Sequence, residues 1–181
     1  HGYTPYFGPE TGFPYALSVD VNSPSWQHLG GVVLGKVNFI RQVLAKYGLE
    51  KPLIHTEGAL MCAEYNPTDC EQPGELFFEA QADYAVRVYL RNWANGILGT
   101  IWYQFEGPGW RYGGLLDEEQ NPKPVYTALQ FMASRLSDAS YIGEVSQFEG
   151  LQGYEFSAPD SRIWVLWSPE QLDTTILLPV D

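Results

Sequence analysis

The feature that most constrains the fold is an alternation of helix-type and strand-type segments. Apolar residues recur at helical spacing over 31–47, 76–94 and 124–136, and short apolar runs at 53–57 and 97–103 separate these helices. This order predicts βα units with a parallel sheet. Long loops follow the strands, which favours a (β/α)8 barrel. A doubly wound sheet gives a similar alternation, but no G-x-G-x-x-G motif follows either strand.

Two segments rich in glycine, proline and polar residues are predicted to be loops. They are the first thirty residues and 58–74. The second contains Cys62 and Cys70, which would close the loop as a disulfide in an oxidising compartment or stay reduced elsewhere. Because no pair of histidines lies nearby, we expect no zinc site.

The pattern changes after about residue 140 to short β-type runs separated by turn signals. Pro159-Asp160 and Ser168-Pro169 are the clearest of these signals. We therefore expect a β meander that forms part of a small sandwich.

The composition narrows the classes of partner. Apolar residues make up 45% of the 181-residue chain and charged residues 18%, so a real core is expected. The net charge of −12 argues against nucleic acid and against an anionic membrane surface, and no apolar run is long enough to span a bilayer. The aromatic content of 15% fits either an aromatic core or a groove that stacks on uncharged rings such as sugars.

Glu57 is the first candidate for chemistry, because it follows the apolar run in KPLIHTEGAL. A carboxylate at the carboxyl end of a barrel strand points toward the substrate and can act as nucleophile, general base or metal ligand. A structural salt bridge is the alternative. His55 shares a strand face with Glu57 if the period of two holds, and we interpret it as a hydrogen-bonded core histidine.

Aromatic residues end the second predicted strand and continue into its loop. Trp102 either stacks on a sugar ring or packs in the core, and Tyr103 follows it. For Trp110, in EGPGWRYGG, a binding role is favoured because it lies in a loop. Glu106 either bonds to sugar hydroxyls or is simply solvated.

Four motifs together resemble clan A glycoside hydrolases, with the family 39 and family 5 types both close. KPLIHTEGAL resembles the seventh strand, which carries the retaining nucleophile, and GILGTIWYQFEGPGW resembles the eighth, which ends in a substrate-stacking tryptophan. HGY at the start of the chain resembles the H-x-Y that ends the sixth strand, and LLDEEQNPKPVYTAL resembles the segment leading into the last helix. The resemblance covers residues 1 to about 136.

The resemblance implies a fold and a set of roles. Residues 1–138 would be the C-terminal portion of a TIM (β/α)8 barrel, about strands 7 and 8 with flanking helices, and 139–181 a small β-rich sandwich segment. Glu57 would be the nucleophile. His1, Tyr3 and Trp102 would bind substrate, with Tyr3 in reach of the nucleophile. The positions of Tyr103, Glu106 and Trp110 add these three to the expected substrate-binding residues.

We therefore predict part of a retaining hydrolase that cleaves β-linked oligo- or polysaccharides through a glycosyl-enzyme on Glu57. Such enzymes need two carboxyl groups about 5–5.5 Å apart, and the clan supplies the acid/base from an Asn-Glu pair that the chain lacks. We expect that group and the missing N-terminal strands to come from outside this segment. The segment alone would be inactive and would expose an apolar inner face.

We expect no cofactor and no metal, and we expect a secreted protein. The alternative is a non-catalytic carbohydrate-binding protein or pseudoenzyme barrel. It would use Trp102 and Trp110 as sugar platforms.

Overall fold

The computed structural model describes residues 6–7, 26–62, 73–168, 175 and 177. The chain divides into two compact units, His1–Met132 and Ala133–Asp181. The first holds β1 (Tyr6–Phe7), α1 (Val32–Lys46), β2 (Ile54–Gly58), β3 (Met61–Cys62), α2 (Glu75–Ala94), β4 (Gly99–Trp102) and most of α3 (Pro124–Leu136); the second holds β5 (Ser140–Glu144), β6 (Gln152–Ala158) and β7 (Ser161–Trp167).

The three predicted helices and the two predicted strands of the first unit are confirmed. β2 and β4 pair in parallel, and α2 lies between them in the chain, which makes a βαβ unit. Each sheet in the described part of the chain has two or three strands, so those residues do not form a closed barrel. The architecture is a mixture of helices with small sheets.

Glycines end α1 and α2. Gly48 and Gly96 have φ angles of 67° and 65°, which glycine adopts at little cost. Around Gly48, the amide of Leu49 donates to the Leu44 carbonyl and the amide of Gly48 donates to the Ala45 carbonyl, each over 3.0 Å. These two hydrogen bonds satisfy carbonyls in the last turn of the helix. The same pattern recurs at Gly96 and turns the chain toward β4.

Two loop predictions were wrong. β1 lies within the first thirty residues and pairs in parallel with β3, which lies within the predicted loop 58–74. Residues 59–62 are apolar and buried. Their run is too short to stand out beside the glycines and prolines that surround it. Cys62 is disulfide-bonded, whereas Cys70 lies outside the described residues.

The core of the first unit lies along one side of α2. Aromatic and aliphatic side chains from one side of this helix pack against the ends of β3 and β4 and the start of α3. The members of this core are Ala59, Leu60, Met61, Cys62, Phe77, Ala80, Tyr84, Ala85, Val88, Trp102, Leu115 and Val125.

The β2–β4 pair has one face toward α2, where His55 and Thr100 bond to Asn92. The other face carries exposed apolar side chains. Ile54 and Ile101 are 51% and 54% exposed, although each lies in a strand whose neighbouring residues face α2. An open apolar face is what the sequence predicts for an incomplete barrel, and patches of this kind mark surfaces that are covered by other chain segments or partners.

The second unit is an antiparallel meander in the order β5–β6–β7, as predicted. Pro159 and Asp160 join β6 to β7 where the sequence predicts a turn. Its rings pack closely, with Tyr141 5.8 Å from Phe156 and Tyr154 5.5 Å from Trp167 between ring centroids. Among the described residues, no helix of either unit is long and apolar enough to cross a membrane.

The glycine at the end of α1 provides a test of the helix stop. A Cβ on Gly48 meets nothing within 4 Å, so Gly48→Ala changes only the backbone energy. We expect the free energy of unfolding to fall by about 1 kcal/mol in urea titrations. Gly99→Ala is the control, because Gly99 has no positive φ and its Cβ would make only ordinary contact with Ile54. Equal losses in both variants would contradict the assignment.

Candidate active site

Glu57 lies in a β-bulge of β2. His55 pairs with Thr100 and Gly58 pairs with Trp102, so β2 has one more residue than β4 between these positions. Bulges bend a strand and redirect its side chains, and they are frequent beside active sites. The Glu57 side chain is half-buried at the carboxyl end of a parallel strand, where ligands of α/β proteins bind.

His55 is a buried, hydrogen-bonded core residue, as the sequence predicts. Its Nδ1 lies 3.1 Å from Asn92 Nδ2 on α2, and the same Asn92 group donates to Thr100 Oγ1 over 2.9 Å. His55 therefore faces α2. The regular strand alternation, which would place His55 and Glu57 on the same face, is interrupted by the bulge.

Gly58 gives the His55 ring its space. A Cβ on Gly58 would lie 2.7 Å from His55 Cε1, closer than real contacts allow. Because Gly58 has no side chain, the backbone after Glu57 can pass close to the His55 imidazole. The Glu-Gly pair after an apolar run was the available sequence signal for this arrangement.

The end of β4 brings an exposed tyrosine next to the bulge. The Tyr103 amide donates to the Gly58 carbonyl over 2.8 Å, and Tyr103 is 41% exposed. Trp102 is only 7% exposed, its Nε1 donates to the Gly113 carbonyl over 2.8 Å, and its ring lies 6.3 Å from that of Tyr84. Trp102 is thus packed in the core, which was its alternative role. Its role as a stacking platform stays a prediction.

The segment 104–115 forms a compact loop closed by its own backbone. The Leu115 amide donates to the Gln104 carbonyl over 3.0 Å, and the Gly114 amide donates to the Pro108 carbonyl over 2.8 Å. A Cβ on Gly114 would collide with the Gly107 carbonyl. The glycines of EGPGWRYGG are therefore needed for close backbone approach, and the loop is held in one shape.

This loop displays Trp110 at its tip. Trp110 is 53% exposed, and the guanidinium of Arg111 lies 4.8 Å from its ring centroid. Such a cation–π contact restrains the ring. Glu106 is also exposed on the loop. Sequence reasoning found Trp110 and Glu106 but missed Arg111.

Two buried polar side chains, from residues outside the loop, donate hydrogen bonds to its backbone. Gln81 Nε2 donates to the carbonyls of Leu60 and Tyr112, each over 2.8 Å, and Lys123 Nζ donates to the Tyr112 carbonyl over 2.7 Å. Burial lowers the pKa of Lys123 to about 8, while Asp117 acts in the opposite direction. Sequence reasoning missed both residues, although a glutamine on the apolar side of α2 was a signal.

Among the described residues, the backbone of Tyr103 bonds to that of Gly58, which directly follows Glu57. Trp110 and Glu106 lie on the loop that follows β4. His1 and Tyr3 lie outside the described residues, so their roles stay predictions. Within the described ranges, no group of three or more histidine, cysteine or acidic residues is arranged to hold a metal ion.

The comparisons with known proteins bear on the fold. The chain is similar to a family 39 glycoside hydrolase from the gut symbiont Bacteroides cellulosilyticus WH2, with 19% sequence identity and a TM-score of 0.54. The match covers 72% of this chain but 27% of that one, so the chain spans about a quarter of that hydrolase. No family model and no curated protein matches the sequence. At this identity the likeness concerns the fold alone.

The buried charge at Lys123 predicts a pH dependence of stability. Because its pKa falls from 10.5 to about 8 on folding, the unfolded chain binds more protons between these values. The contribution of Lys123 to the free energy of unfolding therefore rises with pH across this window and is lost as the pH falls through about 8. Urea titrations at about pH 7, 8 and 9.5 measure it.

In these titrations, the free energy of unfolding of wild type minus that of Lys123→Met should rise with pH. Lys46→Met, at an exposed lysine in the last turn of α1, is the control for the removal of a lysine charge. Parallel curves for wild type and Lys123→Met would contradict the buried charge.

Proposed function

We propose that this chain is part of a retaining glycoside hydrolase that acts on β-linked oligo- or polysaccharides, with Glu57 as its nucleophile. The observation that supports the proposal is the bulge at the carboxyl end of β2, which contains the half-buried Glu57 one residue before the Gly58 carbonyl that accepts from the Tyr103 amide. The likeness to part of a family 39 glycoside hydrolase supports it at the level of fold. The chain would form the last strands of a TIM barrel, completed by residues outside this segment.

The proposed chemistry needs two carboxyl groups. The Glu57 carboxylate attacks the anomeric carbon and forms a glycosyl ester while an acid from outside this segment protonates the departing oxygen. That group then acts as base and takes a proton from water, which attacks the same carbon and releases Glu57. No metal or cofactor takes part in this proposal.

The aromatic side chains supply the proposed binding surface. Tyr103 and Trp110 offer exposed rings on which the C–H face of a sugar packs, and the exposed Glu106 carboxylate accepts hydrogen bonds from hydroxyls. His1 and Tyr3 join them on the resemblance alone. The net charge of −12 suits a neutral sugar better than an anionic polymer. The disulfide at Cys62 supports the proposal that the protein is secreted.

A second candidate is a non-catalytic carbohydrate-binding protein. The exposed Trp110 on a rigid loop favours it, because sugar binding through stacked rings needs no carboxylate pair. The two candidates differ in whether a bond to Glu57 forms.

Replacement of the nucleophile tests the first candidate in the full-length protein that contains this chain. We expect Glu57→Gln to lower turnover by at least about a thousandfold while saccharide affinity stays similar, because the amide cannot form the ester. In wild type, a 2-deoxy-2-fluoro glycoside should leave an adduct on the peptide with Glu57, found by mass spectrometry. Glu79→Gln, at an exposed glutamate of α2, is the matched control and should keep turnover. An active Glu57→Gln protein would exclude Glu57 as nucleophile, and sugar binding without turnover in wild type would favour the second candidate.

Tyr103 and Trp102 should differ in their effects. Tyr103→Ala removes an exposed ring, so we expect about tenfold weaker saccharide binding with nearly unchanged stability. Trp102→Phe loses the hydrogen bond to Gly113 and should lower the free energy of unfolding by about 1 kcal/mol. Calorimetric titration and urea unfolding measure the two effects. A larger loss of affinity in Trp102→Phe would return the platform role to Trp102.

A further inference from the structure

Two buried donors converge on one backbone carbonyl behind the loop tip. The Tyr112 oxygen accepts from Gln81 Nε2 at 2.8 Å and from Lys123 Nζ at 2.7 Å. Gln81 lies on α2, and Lys123 directly precedes α3, so the carbonyl is held by two different parts of the chain. Placing a lysine in a buried position costs stability, which suggests that the bond it makes serves the shape of the loop.

The segment held in this way has a strained backbone. Arg111 and Tyr112 are successive non-glycine residues with φ angles of 49° and 59°. Each such residue costs on the order of 1 kcal/mol and persists only when its surroundings hold it. Without the two donors, we expect the 3₁₀ turn Trp110–Tyr112 to relax.

The same turn determines where the exposed indole lies. Arg111 belongs to the strained pair, and its guanidinium lies over the Trp110 ring. A change in the backbone at Arg111 would therefore move the group that restrains the ring. Gln81 is fully buried and Lys123 nearly so, so neither is placed to contact a ligand directly.

We propose that Gln81 and Lys123 are positioning residues that hold the Trp110–Tyr112 turn and thereby present the Trp110 ring to a saccharide. This inference rests on the proposed function for its ligand. It adds to that function two residues, Gln81 and Lys123, that affect saccharide binding only by holding the turn. It also predicts that the stability of the protein and the order of the turn respond differently to the same substitution.

The experiment uses the full-length protein with Lys123→Met and, as an independent variant, Gln81→Met. Hydrogen exchange followed by mass spectrometry reports the amides of Tyr112, Gly113 and Gly114, each of which donates within the loop. We expect exchange there to be about tenfold faster in both variants. Val33→Ala, at a buried position of α1, is the control for general destabilisation and should leave the loop amides unchanged.

Calorimetric titration then measures binding of cellotetraose, xylotetraose and laminaritetraose, and a tetrasaccharide that binds wild type serves as the probe. Lys123→Met and Gln81→Met should each weaken binding by about fivefold to tenfold. In a Trp110→Ala background the same substitutions should have no further effect, because they act through that ring.

Unchanged exchange at the loop amides would overturn the proposal. So would a loss of affinity that persists in the Trp110→Ala background or that Val33→Ala reproduces. Absence of binding by wild type to all three tetrasaccharides would overturn it together with the proposed function. Full turnover by Glu57→Gln would overturn the proposed nucleophile alone, since the binding and exchange measurements do not depend on it.

Discussion

The amide of Asn92 joins the two strands on which the candidate site depends. From α2 it bonds to His55 of β2 and to Thr100 of β4, which are themselves paired across the sheet. One buried side chain thus sets the distance of the helix from both strands at once. Because a buried amide needs its partners, this contact also selects the register in which the strands pair. The bulge at Glu57 begins directly after that fixed point.

The loop after β4 reaches its shape by a different route. Backbone hydrogen bonds and closely spaced glycines hold it together, while Leu115 and Tyr112 join it to the core of the first unit. The remaining strain falls on Arg111 and Tyr112, where polar groups from outside the loop compensate for it. A rigid loop of this kind loses little conformational freedom when it binds a ligand.

The regular elements were predictable because apolar periodicity and glycine stops are local signals. All three helices and the parallel order of β2 and β4 follow from them. The bulge was not predictable, because it depends on pairing between residues far apart in the chain. The burial of Trp102 and the bonds of Gln81 and Lys123 to one carbonyl depend on tertiary contacts in the same way. The short β3 was hidden because two residues carry no periodicity.

The extra residue in β2 makes the candidate site sensitive to chain length as well as to residue identity. A strand one residue shorter between His55 and Gly58 would pair with β4 without interruption and would satisfy the ladder better. Gly58 would still lie opposite Trp102, but the one residue left between His55 and Gly58 would follow the regular alternation, so the carboxylate would lose the direction that the bulge gives it. A related sequence can therefore retain each residue named above and still lose the arrangement through a single deletion. Alignments of such sequences need to be judged by the spacing from His55 to Gly58 before the carboxylate itself is compared.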